Sequence, residues 1–392
     1  MAIELINRTP FANLRFSNLD ATGQEFGVVM VKLAFDIPQE GGPCPLSSEQ
    51  EPFVLTDEYH GELNFSSLRY ASDFVPYKPA TDVALDAIAY APLGRAARWK
   101  VGARVADSAG LHVESWLEVC GPRQWEPRIA PRSRSVLGWE MTDPAETDAV
   151  ELRYEQAFGG AEIRRDEAGE LAEDYDERNP IGCGRVPRAW AEEDEISPVP
   201  APQVLAAGEV YDSIGNTPAP AGFGPIPPAW LPRRPLGGTY DQNWLDNIWP
   251  AWAPDYDFAY HNSAHPKLQA EGFLKAPLQV ELTGLHREKD VWSFEIDYPR
   301  LSLFGAYEDG RDEDFELLVD TVFIDIGQTA GTDPRVFVML RAIFPMPGIN
   351  RLEIYRPFAS AELAPSRYHP TDVSCDPSLI DPPHQADEEK VS

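Results

Sequence analysis

The sequence predicts a mostly β protein: antiparallel sheets in a sandwich or barrel-like arrangement, few helices, and a long ordered central loop rich in proline, glycine and tryptophan. Three observations lead there. Apolar and β-branched residues recur with period two rather than 3.6. The 38 prolines and 28 glycines interrupt the 392 residues so often that few windows could hold three helical turns. No convincing amphipathic helix stands between the interruptions.

The first clear strand covers 26–37, where Val29, Val31, Leu33, Phe35 and Ile37 share one face and Val28 and Met30 make the other apolar too. Further strands are predicted at 98–106, 112–119, 150–154, 278–283, 291–298, 315–325 and 335–344. In the 291–298 strand, Trp292, Phe294, Ile296 and Tyr298 alternate with Ser293, Glu295 and Asp297, the pattern of a half-buried antiparallel strand with one wet face. Two β-rich flanks, 1–155 and 275–357, therefore enclose a loop-rich centre, 156–274. One large domain over 1–357 fits the length, and so do two β subdomains joined by the centre. The centre is expected to be ordered by packing against both flanks, since long structureless connections are uncommon in compact domains. The tail 358–392 is polar and proline-rich, with a mobile end expected.

The charge balance, 33 basic against 64 acidic side chains, leaves a net of -31. Such a surface repels phosphate backbones and anionic lipid, which argues against nucleic-acid and membrane partners and points to a basic one. Denser acidic runs at Glu192–Glu195 and from Asp309 to Glu316 read as solvated faces or loops. No stretch approaches the ~20 apolar residues of a membrane span, and the start lacks a basic and apolar leader, so a cytoplasmic protein is expected. Cys44, Cys120, Cys183 and Cys375 are widely spaced and read as free thiols.

Enzymatic motifs are missing. There is no Gly-x-Ser-x-Gly elbow, no Gly-x-x-x-x-Gly-Lys loop and no His-Glu-x-x-His helix, and neither a catalytic residue nor a cofactor is expected. His261 and His265, four apart beside Asp255 and Asp257, would suit a metal only on a helix, and prolines at 254 and 266 make this stretch a loop. Cys183 would need a nearby base to act as a nucleophile, and Asp309, Asp312, Glu313 and Asp314 lack the spacing of a calcium loop.

The most informative stretch runs from Ala219 to Asp241, with Trp230, Trp244, Trp249 and Trp252 in or just after it. Tryptophan and tyrosine offer large contact area for little rotamer entropy, so they concentrate where a surface grips something; the same residues could instead plug a β core. Trp230, Tyr240, Trp244, Trp249 and Trp252 are the candidate anchors, with Arg233 and Arg234 as charged contacts. Trp244 with Asp241 and Asn243, or Trp252 with Asp255, would also suit a sugar, and paired carboxylates a glycosidase. Lys78, Thr81 and Asp82 form a polar knot in a stretch otherwise set up to pack, read as a structural lock in which Lys78 or Arg95 pairs with Asp82.

Several blocks occur in a specific order: Asn7–Phe11, Ser72–Val83, Ala89–Pro92, Arg153–Gly160, Asn179–Gly184, the Ala219–Asp241 run and Pro254–Phe258. Together they resemble a bacterial family, domain of unknown function 2169, that accompanies VgrG spike and PAAR tip proteins in type VI secretion loci. The resemblance extends to about Leu285. It implies a non-enzymatic adaptor or chaperone that binds an effector toxin and helps mount it with PAAR or VgrG, and the acidic charge balance suggests a basic nuclease as that effector. A carbohydrate-binding or glycoside-active β-sandwich is the alternative.

Overall fold

The computed structural model describes residues 3–20, 22–132, 135–165, 168–188, 196–327, 333–357 and 370. The acidic run at 192–195, Cys375 and all of the tail apart from 370 lie outside the described residues.

Among the described residues three large sheets carry the fold, and none closes into a barrel. A five-stranded sheet runs in the order Ala12–Leu19, Glu25–Asp36, Arg335–Pro345, Leu318–Asp325, Asp82–Asp86, antiparallel except for its last pair. A six-stranded sheet runs Val204–Ala206, Gly110–Cys120, Arg98–Asp107, Leu278–Thr283, Val291–Ile296, Gly42–Pro43. A four-stranded sheet joins Glu4–Asn7, Ile349–Tyr355, Ser302–Tyr307 and Asp312–Glu316. All three take strands from both ends of the chain, so the flanks 1–155 and 275–357 do not form separate sheets.

Period two explains the layering. Val29, Val31, Leu33 and Phe35 from one sheet meet Val101, Ala103, Val280, Leu282, Trp292 and Phe294 from another in a single apolar cluster, a sandwich-like core. On the other face of the Glu25–Asp36 strand, Phe26 and Val28 belong to a second cluster with Tyr77, Phe258 and Ile343. That strand is thus covered on both sides, and all residues from Phe26 to Phe35 are buried.

Most predicted strands occur at nearly their predicted bounds, and two differ. The 315–325 run is two strands: Asp312–Glu316 pairs with Ser302–Tyr307, whereas Leu318–Asp325 pairs with Arg335–Pro345 in another sheet. The chain changes sheets at Leu317 without a loop, and a bulge follows at Asp320. The 150–154 strand stops at Glu151, and Tyr154–Gln156 forms a 3-10 turn with Tyr154 buried. The centre holds the one α-helix among the described residues, Gln242–Asn247, a hairpin of Ala161–Arg165 with Leu171–Tyr175, and a few strands of two or three residues such as Val204–Ala206, joined by loops and 3-10 turns.

Gly27 shows how closely the long strands pack. It faces Phe344 across the ladder, and a Cβ there would lie 2.1 Å from the ring. Phe344 is fully buried and cannot swing aside. Gly27→Ala should therefore destabilise the protein by about 1–3 kcal/mol, read as a lower urea midpoint at unchanged slope.

Candidate functional site

The polar knot of Lys78, Thr81 and Asp82 ties the first flank to the centre and to the Leu318–Asp325 strand. Thr81 opens the Asp82–Asp86 strand, and its hydroxyl donates to the Val319 carbonyl at 2.6 Å and accepts from the Leu274 amide at 3.0 Å. Lys78 Nζ lies 2.9 Å from Asp82 Oδ2 and also donates to Thr321 Oγ1 at 2.8 Å. The Asn262 amide donates to Asp82 Oδ1 at 2.9 Å, and the Ser263 backbone N–H donates to Oδ2 at 2.7 Å. Lys78 and Asp82 are 4 % and 0 % exposed, so this is a dry ion pair with nearly every lone pair satisfied. Arg95 is elsewhere, donating to the Glu146 carbonyl.

The Ala219–Asp241 run divides by depth. Its first half is plug. Phe223 is fully buried, and its carbonyl accepts from the Leu85 amide, closing the edge of the five-stranded sheet. Trp230, 7 % exposed, packs edge-on against Tyr154 with centroids 5.7 Å apart. Arg233, 8 % exposed, donates to the carbonyls of Tyr260 and Ile226. Trp230 and Arg233 are therefore interior residues and not surface anchors. Proline-rich loops have no period, so the sequence could not say which aromatics point inward. Arg234 is at the surface, paired with Glu177 at 2.8 Å.

The second half projects. From Thr239 to Pro250 most side chains are exposed, including Tyr240 at 46 %, Leu245 at 54 % and Trp249 at 64 %. Trp249 is the only exposed tryptophan among the described residues. The lobe is tied at its base. Asp241 caps the helix by accepting from the Trp244 amide, and Asp255 accepts from both the amide and the hydroxyl of Thr239. The half-buried Trp244 meets Tyr240 edge-on and donates to the Ala251 carbonyl. Trp252, also half-buried, lies against Tyr256 and donates to the Leu19 carbonyl on the five-stranded sheet.

The remaining candidates have other partners. His261 Nε2 is 2.6 Å from the Tyr256 hydroxyl, and His265 Nδ1 accepts from the Lys267 amide. Burial, reinforced by Arg233, Lys78 and Arg341, pushes the His261 imidazole down to about 3. Burial pushes the Cys183 thiol up to about 12, far from a nucleophile's range. Asp309 pairs with Arg311, while Glu313 and Asp314 accept from the hydroxyls of Tyr307 and Tyr355.

A family model matches residues 22–340, most of the chain and all of the knot, plug and lobe. The chain belongs to DUF2169, described as an uncharacterized protein conserved in bacteria. No curated protein and no solved structure matches it.

Two outcomes follow from the geometry of this DUF2169 member. Lys78→Ala leaves Asp82 buried without its counter-ion and should cost about 3 kcal/mol or more in chemical denaturation. His261 is held neutral, with its folded value far below the usual 6.5, so its stabilising contribution is whole above pH 6.5 and is lost as pH falls towards about 3. The Tm gap between wild type and His261→Asn should narrow on going from pH 7 to pH 4.5. A constant gap would exclude that titration.

Proposed function

We propose that the protein is a non-enzymatic adaptor or chaperone of the cytoplasm that binds an effector toxin and helps mount it with a PAAR or VgrG protein for type VI secretion. The association with secretion rests on the ordered sequence blocks that resemble that family. The observation that carries the binding role is the projecting lobe, where Tyr240, Leu245 and Trp249 stand in solvent on a base fixed by side-chain hydrogen bonds. Exposed aromatic anchors on a preorganised support are what partner recognition requires, because little entropy is lost on binding. The net charge of -31 favours a basic effector such as a nuclease through complementary potential.

A sugar-binding role is less well supported. Asp241 and Asp255 are taken up by the helix cap and by Thr239, and Asn243 accepts from Asn247, which removes the polar groups that would hold a ring beside Trp244 or Trp252.

The test is a pull-down from secretion-competent cells with wild type and a Tyr240→Ala, Trp249→Ala double variant. Recovery of a toxin, PAAR or VgrG protein is expected with wild type only, with unchanged Tm in the variant; loss of about 2 kcal/mol or more of binding is the scale for exposed anchors. Trp230→Ala should instead unfold the loop, lowering stability by about 3–5 kcal/mol. Equal recovery by wild type and the folded double variant would remove the lobe from the interface.

A further inference from the structure

A cleft of about 670 Å³ lies between one end of the six-stranded sheet and the loop at 209–212. Its volume is that of a small-molecule site. Arg98 and Cys120 face each other in register on the sheet, and Arg123 follows just beyond the strand's end.

Arg123 has unusual surroundings for a buried cation. It is 7 % exposed and takes part in no ion pair among the described residues. Its Nε and Nη2 donate to the Pro202 carbonyl at 3.1 and 3.0 Å, and Nη1 reaches the Tyr211 carbonyl at 3.5 Å. A guanidinium has five N–H donors, so these three bonds leave one N–H on each terminal nitrogen unassigned. Among the described residues the positive charge itself is met only by neutral carbonyls and by the Tyr211 ring 5.9 Å away. A buried charge without a counter-charge is costly, which makes an external anion the missing partner. The exposed Arg98 adds a second cation on the same side: Arg98 and Arg123 both lie near enough to Cys120 to oppose the rise that burial imposes on its thiol.

The acidic groups of the cleft do not fill this role. Glu118 is held by Lys100 at 3.2 Å, and Asp143, Glu209 and Asp212 come within ion-pair distance of no arginine or lysine among the described residues. They do bear on the ligand's charge. A phosphate dianion would be repelled by them about twice as strongly as a carboxylate, a planar acceptor of the kind that guanidinium groups bind.

We propose that this cleft binds a carboxylate-bearing ligand, anchored on Arg123 at its floor with Arg98 as the second cation at its rim. The carboxylate belongs either to a free small acid or to the C-terminus of a polypeptide. The inference does not depend on the adaptor reading, which concerns the lobe.

The test uses the full chain, titrated calorimetrically with acetate, with inorganic phosphate, and with a short neutral peptide as free acid and as C-terminal amide, all at matched ionic strength against chloride. Arg98→Ala removes an exposed side chain and should keep the wild-type Tm while weakening carboxylate binding about tenfold, the scale of a lost charged hydrogen bond. Arg123→Lys keeps the charge but loses the fork and should abolish binding; if that variant does not fold, Arg98→Ala decides. Binding of acetate assigns a small acid, and binding of the free-acid peptide but not its amide or acetate assigns a polypeptide terminus. Acetate and peptide acid both indistinguishable from chloride in wild type, phosphate binding alone, or undiminished binding in folded Arg98→Ala, would each overturn the proposal.

Discussion

The buried pair of Lys78 and Asp82 is the constraint on which the rest of the architecture depends. Four separate parts of the chain converge on it and on the adjoining Thr81: the 78–82 segment itself, the Leu318–Asp325 strand through Thr321 and Val319, the central loop through Asn262 and Ser263, and the 270–274 connection through the amide of Leu274. An ion pair in such a dry place contributes little net stability compared with an apolar replacement. Its contribution is positional. The bonds of the knot hold the centre against the sheets, and the Asp82–Asp86 strand lies parallel beside Leu318–Asp325 with its residues aligned from Thr321 to Asp325.

The same device recurs on the outward face of the five-stranded sheet, where apolar periodicity alone would leave a gap. Lys32 donates to Asp73 and to the Pro52 carbonyl, and Arg341 pairs with Asp320 while donating to the carbonyls of Asp73 and Val75. These buried cations pin the 52–75 segment across the sheet. The segment needs pinning, because it has little regular structure beyond the short Glu58–Tyr59 and Leu68–Tyr70 pair. Charge buried on a sheet face thus serves to fasten loops, and the loops in turn exclude water from the charge.

Legibility of the sequence followed the physics of each element. Long strands with one apolar face announced themselves, and Leu278–Thr283 occurs at its predicted bounds. Strands whose apolar pattern is masked did not: Ala12–Leu19 at a sheet edge is mixed in polarity, and Asp82–Asp86 begins and ends on buried acids. The run at 315–325 is continuously apolar enough to look like one strand, and only three-dimensional pairing reveals the change of sheet at Leu317. In the central loop, tryptophans were visible but their depth was not, since neither Trp230 nor Trp249 sits in a repeating pattern. The charged floor at Arg123 left no local signal at all, because its meaning lies in the lack of an ion pair among the described residues rather than in a motif along the chain.

Depth is also what separates the two halves of that loop in function. The plug half spends its aromatic area on Tyr154 and the sheet edge, and what it gains is rigidity. The lobe half inherits this rigidity through Trp252, whose indole reaches back to the carbonyl of Leu19, and through Asp255, which holds Thr239 by two hydrogen bonds. An aromatic such as Trp249 on a mobile loop would lose much of its contact energy to ordering; on a base fixed at both ends it meets a partner with that cost already met in folding. The buried half of the segment is therefore the reason the exposed half can act as a recognition surface, and substitutions in the two halves should act on stability and on binding respectively.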